Sequence, residues 1–134
     1  MTYRAQGSFD VKLTPQPATE GVGDAGIGRM AIDKRFHGDL EAASKGEMLA
    51  YRTSTEGSAG YVAMERVTGT LEGRRGSFTL QHFGIMTRGT PDLAITVVPD
   101  SGTEELEGLS GKMTIKIEEK KHFYDFEYAL PDKG

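Results

Sequence analysis

Two side chains with acid–base chemistry, Glu65 and His82, flank one polar turn in a stretch where apolar and polar residues alternate. Gly73 occupies a position that a type II′ turn requires, which predicts a hairpin centred between Gly73 and Arg74. Counting outward from this centre places Glu65 opposite His82, on the face that also carries Leu80. A carboxylate and an imidazole buried side by side can act as a general acid or base, so this pair is the predicted catalytic site.

Further side chains on the predicted inner face could hold the remainder of a ligand. Tyr61 lies on the same strand as Glu65, and Tyr51 lies on the preceding strand. Either hydroxyl could bind the polar end of a small molecule. Phe78 and Val97 are predicted to line the apolar part of the same site.

The Glu–His pair also fits a second interpretation, in which it is a satisfied polar pair that fixes strand register in the core. A metal site is not expected, because His37 and His122 fall in predicted turns and one Glu–His pair offers too few ligands for zinc. No phosphate-binding glycine loop or nucleophile elbow is present, and no cofactor is expected. The basic pairs Lys34-Arg35 and Arg74-Arg75 are interpreted as solvated turns.

Alternation with a period of two runs through most of the chain, as expected for β-strands. The first strand is predicted from Tyr3 to Leu13, the second over about 27–37 and the third over about 40–53. A glycine-rich loop is predicted over 19–26. The apolar phase of the third strand changes near Gly46, which predicts a β-bulge.

Two later turns support the same alternation. Hairpins centred on Gly89-Thr90 and Lys120-Lys121 keep the apolar residues of their strands on one face, and the second hairpin predicts a cross-strand pair between Lys116 and Asp125. The chain is therefore predicted to be all-β, a single antiparallel barrel of about eight strands spanning residues 1–134. A two-sheet sandwich of the same strands is the alternative. A barrel of this size is filled with side chains or holds one small ligand.

A polar corner lies between two of the predicted strands. Pro99 ends one strand, and Ser101 with Glu104 fits a capping box, so a short helical turn is predicted near 103–107. The sequence 101–106 followed by 108–111 resembles the corner shared by allene oxide cyclase-like and dirigent-like β-barrels.

Two more segments, 65–73 and 76–82, are similar to a bacterial family of unknown function that is grouped with those barrels. The resemblance covers roughly residues 28–130. It implies a barrel that binds an apolar ligand internally without a cofactor, possible cyclase-like or isomerase chemistry, and assembly into homo-oligomers. The shared corner carries no catalytic residue over to this chain.

Composition restricts the partners. The 134 residues carry a formal net charge of −4 and no cysteine. Nucleic-acid binding is not expected without a basic face, and no apolar run approaches the length of a membrane span. A cytoplasmic location is expected. In the alternative function the barrel is filled and acts through an outward apolar surface, to which Val62, Met64, Phe83 and Ile85 are predicted to contribute.

Overall fold

Eight antiparallel strands close into a barrel in the computed structural model, which describes residues 2–18, 20–21 and 25–131. Each strand pairs with its neighbours in sequence, and the first pairs with the last. The all-β barrel prediction is confirmed. The strands are β1 Thr2–Gln16, β2 Gly28–Gly38, β3 Leu40–Arg52, β4 Ala59–Leu71, β5 Arg74–Thr87, β6 Thr90–Val97, β7 Ser110–Glu118 and β8 Lys121–Ala129.

The three predicted hairpins exist, but the strand pairing in each is shifted by two residues from the predicted register. In the β4–β5 hairpin the central residues are Glu72 and Gly73, with φ of 45° and 86°, so Glu65 lies opposite Leu80. Two consecutive positive φ values define a type I′ turn, whereas the predicted type II′ turn needs only the first. A shift of two preserves the face of every side chain, so Glu65 and His82 still share the interior.

The same shift recurs at the other two turns and removes one predicted contact. The central residues there are Arg88-Gly89 and Glu119-Lys120. Lys116 consequently lies opposite Phe123, and the predicted Lys116–Asp125 pair is wrong. Asp125 instead accepts a hydrogen bond from Arg4 on β1 at 2.9 Å.

The predicted bulge in β3 is absent. β3 pairs without interruption with both β2 and β4 through Gly46, which lies opposite Glu65. A Cβ on Gly46 would lie 1.9 Å from the carbonyl oxygen of Met64. The glycine is therefore required by a close approach of β4, and Leu49 and Tyr51 beyond it lie on the outer face.

The polar corner between β6 and β7 closes one end of the barrel. It contains the predicted turn, observed as a 3-10 turn over Glu104–Leu106, and its Leu106 and Leu109 are buried in the core. The predicted capping box of Ser101 with Glu104 does not form, because Thr103 and not Ser101 is the N-cap of the turn, and Thr103 makes no side-chain cap. Instead, alternate side chains of the corner accept hydrogen bonds from the free backbone edge of β5: Arg75 N to Glu105 Oε1, Ser77 N to Thr103 Oγ1 and Thr79 N to Ser101 Oγ.

The opposite end, where β1 meets β2 and β7 meets β8, has no such corner among the residues described; we call it the mouth. β6 and β7 pair at two positions, Ile95 with Met113 and Thr96 with Lys112. Of the predicted loop 19–26, residues 19 and 22–24 fall outside the described residues. Within the described ranges, no helix combines the length and apolar character needed to cross a membrane.

Candidate functional site

A layer of polar side chains crosses the interior of four consecutive strands. Lys34 of β2, Ser44 of β3, Glu65 of β4 and His82 of β5 all point inward, and all four are buried. Each occupies an inward position whose nearest inward neighbours on the same strand are apolar or glycine. Because neighbouring strands of the barrel bring equivalent positions together, four residues distant in sequence form one cluster.

Glu65 is the centre of this cluster and is 1% exposed. Its Oε1 accepts hydrogen bonds from Lys34 Nζ at 2.9 Å and from His82 Nε2 at 2.7 Å. Its Oε2 accepts a hydrogen bond from Ser44 Oγ at 2.5 Å. Among the described residues no buried polar side-chain atom lacks a partner, so each polar group of the cluster makes at least one hydrogen bond.

These contacts keep Glu65 ionised. Burial raises the pKa of its carboxyl, but the His82 hydrogen bond, the charge of Lys34 and the Ser44 hydrogen bond together lower the pKa to about 2. The Lys34 ammonium is itself held over two aromatic rings, 4.9 Å from the centroid of Phe9 and 5.4 Å from that of Phe36. The result is a buried anion with a fixed cation beside it.

The hydrogen bonds continue from Glu65 toward the mouth. An ionised carboxylate can only accept, so the Nε2 of His82 carries a proton, and its Nδ1 faces the hydroxyl of Tyr61 at 3.3 Å. Burial, followed by the charge of Glu65, raises the pKa of Tyr61 to about 12, so its hydroxyl keeps its proton. Tyr61 is half-buried, and of the three residues in this series of hydrogen bonds it lies closest to the mouth.

Gly84 makes room for Tyr61. The two residues lie opposite each other on β5 and β4, and a Cβ on Gly84 would lie 2.2 Å from a ring carbon of Tyr61. The obstacle to a side chain at this position is the tyrosine ring and not the backbone. Gly84 therefore sets where the Tyr61 hydroxyl lies relative to His82.

Lys34 corrects the sequence interpretation. The Lys34-Arg35 pair is not the solvated turn that the sequence suggests, because it lies within β2, where Arg35 is exposed and Lys34 is 5% exposed. The sequence does contain a signal that Lys34 is buried, because alternation places Lys34 on the same face of β2 as Ile32 and Phe36. The sequence analysis does not identify Ser44 either, although Ser44 lies on the same face of its strand as Leu40 and Ala42.

The remaining predicted site residues do not lie together in one site. Tyr51 lies on the outer wall, 47% exposed, and its predicted place in the interior is wrong, because the even-numbered residues of β3 face inward. Phe78 and Val97 face the interior but belong to the packed core at the closed end, where Phe78 stacks on Phe126. Tyr61 is the predicted ligand-binding residue that hydrogen-bonds to the Glu65–His82 pair.

Apolar side chains above Tyr61 face inward yet remain in contact with solvent. Leu93 lies opposite Gly84, and Leu13 lies opposite the buried Ile32, so alternation turns both into the barrel. The exposed inward-facing side chains at the mouth are Leu13 (44%), Met86 (42%), Leu93 (39%) and Ile117 (65%). At the mouth these four apolar side chains are therefore turned inward and yet remain partly exposed.

A separate groove of about 710 Å³ lies at the closed end, where β6 turns away from β7. It is lined mainly by outward polar side chains, among them Arg4, Lys112 and Glu127. Val97 contributes to this groove, whereas Glu65, His82 and Tyr61 do not. The groove and the buried cluster are therefore distinct features.

Comparison with known proteins identifies the family. The family model described as "Protein of unknown function (DUF3224)" matches residues 5–128. The chain belongs to the DUF3224 family. It is similar to the crystal structure of a DUF3224 protein of unknown function from Shewanella oneidensis MR-1, with 54% sequence identity and a TM-score of 0.92 over 98% of this chain and 99% of that one. No match was found among curated proteins.

Proposed function

We propose that this DUF3224 barrel binds a small apolar ligand in the mouth, with the polar end of the ligand at the Tyr61 hydroxyl. The observation that carries the proposal is the set of partly exposed, inward-facing apolar side chains at the mouth, on the solvent side of a buried, hydrogen-bonded charge cluster. Ligand sites have this composition, since apolar walls provide affinity and a few fixed polar groups provide orientation. A cluster that served only to fix strand register would not need a hydroxyl leading toward solvent.

The cluster is suited to proton exchange with the bound molecule. Tyr61 accepts a proton from a weakly acidic group while its own proton passes to Nδ1 of His82, and Glu65 stabilises the imidazolium that forms. Return of the proton to another atom of the ligand is an isomerisation and needs no co-reactant. Tyr61 is the residue that touches the ligand in this proposal, and Glu65 and His82 act through it.

The likeness to allene oxide cyclase-like and dirigent-like barrels supports this proposal by analogy of fold alone. Cofactor-free binding of an apolar molecule, possible isomerase or cyclase-like chemistry and a cytoplasmic location belong to the same proposal. Nucleic acid and membrane are not among the proposed partners, which agrees with the net charge of −4.

The binding proposal predicts a saturable site for N-phenyl-1-naphthylamine, a neutral fluorescent amine whose N–H can donate to Tyr61. Leu93→Lys places a charge on the rim of the mouth and should weaken binding about tenfold or more, because an ammonium disfavours an apolar ligand beside it. Fluorescence titration of the intact protein measures both dissociation constants.

Leu49→Lys is the matched control, because Leu49 is also a half-exposed leucine but lies on the outer wall. We expect it to bind the probe like the unmodified chain. Equal weakening by both lysine variants, or the absence of a saturable signal, would contradict the proposal. Tyr61→Phe should weaken binding by several-fold, the typical value of one net hydrogen bond.

A further inference from the structure

The outer wall of β3, β4 and β5 carries a second apolar surface, which is independent of the mouth. We call it the outer apolar face and define it by Leu49, Tyr51, Val62, Met64, Phe83 and Ile85. Each of these side chains is 44–50% exposed. Strand alternation turns all six away from the barrel interior, so the ligand proposed above does not explain them.

The register brings these side chains into contact with one another. Leu49 lies opposite Val62, and Val62 lies opposite Phe83, so these three form a row perpendicular to the strands. Tyr51 and Ile85 flank Gly60 in the adjacent row toward the mouth. The six side chains therefore form one continuous surface with Val62 near its centre.

The extent of this surface fits a protein interface. A full aromatic side chain presents about 150–250 Å² and an aliphatic one somewhat less, so six half-exposed side chains present about 500 Å². This value lies near the upper end for the largest patch on a monomeric protein, about 300–600 Å². With a polar rim added, two such faces bury about 1,200 Å², the lower bound for a specific stable interface.

The charges around the face favour a second copy of the same chain. No charged side chain lies among the six. Arg29 continues the central row on the β2 side, where it forms an ion pair with Glu47 beside Met64, and Asp92 lies opposite Ile85 on the β6 side. A two-fold axis near Val62 superimposes the neutral centres of two copies. The same axis brings Arg29 of each copy toward Asp92 of the other, and such self-complementarity is what an isologous contact requires.

We propose that the chain forms a two-fold symmetric dimer through the outer apolar face. The two barrels pack wall against wall, with Val62 and Phe83 at the centre and Arg29 and Asp92 at the rim. The mouths stay outside the contact, because their exposed side chains face the barrel interiors. The dimer therefore does not depend on the proposed ligand.

Sedimentation equilibrium of the full chain, from micromolar to millimolar concentration, tests the dimer. The unmodified protein should approach twice the 14.6 kDa chain mass. Val62→Glu buries two like charges at the centre and should weaken the dimer on the order of 100-fold. Ile117→Glu is the matched control, because it introduces the same charge at an exposed apolar side chain of the mouth, and it should leave the dimer intact.

The rim provides an independent test of the two-fold arrangement. Asp92→Arg should weaken the dimer by bringing two cations together. The triple variant Arg29→Glu, Glu47→Arg and Asp92→Arg, which keeps opposite charges at positions 29 and 47 of each chain, should restore it. A monomeric unmodified protein at millimolar concentration would overturn the proposal and leave the face to a different partner. So would loss of the dimer in Ile117→Glu but not in Val62→Glu, or failure of the triple variant to restore association.

Discussion

Glu65→Gln is expected to lower the free energy of unfolding by about 3–5 kcal/mol, because it leaves the buried Lys34 ammonium without its anion. Lys34 and Glu65 are 5% and 1% exposed, so water cannot replace the missing partner. Lys34→Met should destabilise by a similar amount or somewhat less, because His82 and Ser44 still donate hydrogen bonds to the carboxylate. Urea unfolding at neutral pH measures both changes.

The double variant Lys34→Met with Glu65→Gln shows whether the two effects have a common origin. The amide introduced by Glu65→Gln can accept from His82 and donate to Ser44, while the introduced methionine fills the space of the lysine stem. We expect the double variant to lose less stability than Glu65→Gln alone, since replacing both members of a buried ion pair by neutral groups is often close to neutral. Strictly additive losses would show that the two charges do not stabilise each other.

Acid should remove the stability that the ionised Glu65 contributes. Its pKa is lowered from 4.5 to about 2 in the folded protein, so the contribution is present above pH 4.5 and is lost as the pH falls toward 2. The full contribution is about 3 kcal/mol, of which about 2 kcal/mol is lost by about pH 3. The titratable groups that face Glu65 are Lys34 and His82, and both carry hydrogen-bonded protons toward it.

The measurement is the free energy of urea unfolding as a function of pH for two proteins. The unmodified chain should lose about 2 kcal/mol more between about pH 5 and pH 3 than the double variant Lys34→Met with Glu65→Gln, which has no carboxylate at this position. Other carboxylates are common to both and cancel in the comparison. Parallel curves would contradict the assignment of a lowered pKa to Glu65.

Alternation predicts the antiparallel strands and the face of most side chains, whereas closure into a barrel is not a local property and a two-sheet sandwich fits the same strands. The period of two in the strands is a local property, and a register error of two residues leaves it unchanged. For this reason the sequence correctly predicts that Glu65 and His82 meet inside the barrel, although it centres each hairpin one residue too late. The choice between two turn types depends on the φ of Glu72, which its residue type does not reveal.

The rest of the site depends on contacts between distant strands. Lys34 reaches Glu65 across β3, and no local pattern distinguishes its ammonium from that of a solvated lysine beside Arg35. Gly46 illustrates the opposite case, because a change of apolar phase suggests a bulge where the glycine in fact admits the β4 backbone. The prediction that Tyr51 lies inside fails for the same reason, since it attributes the phase change to the wrong cause.

The most direct test of the buried cluster is the protonation pattern of the His82 ring, observed by ¹⁵N NMR at neutral pH with His82→Gln for assignment. We predict that Nε2 carries a proton in slow exchange with water, and that N-phenyl-1-naphthylamine shifts the resonance of Nδ1 through Tyr61. An unprotonated Nε2, or a ring that exchanges with water as freely as that of the solvent-accessible His37, would contradict a cluster in which His82 links Glu65 to the mouth.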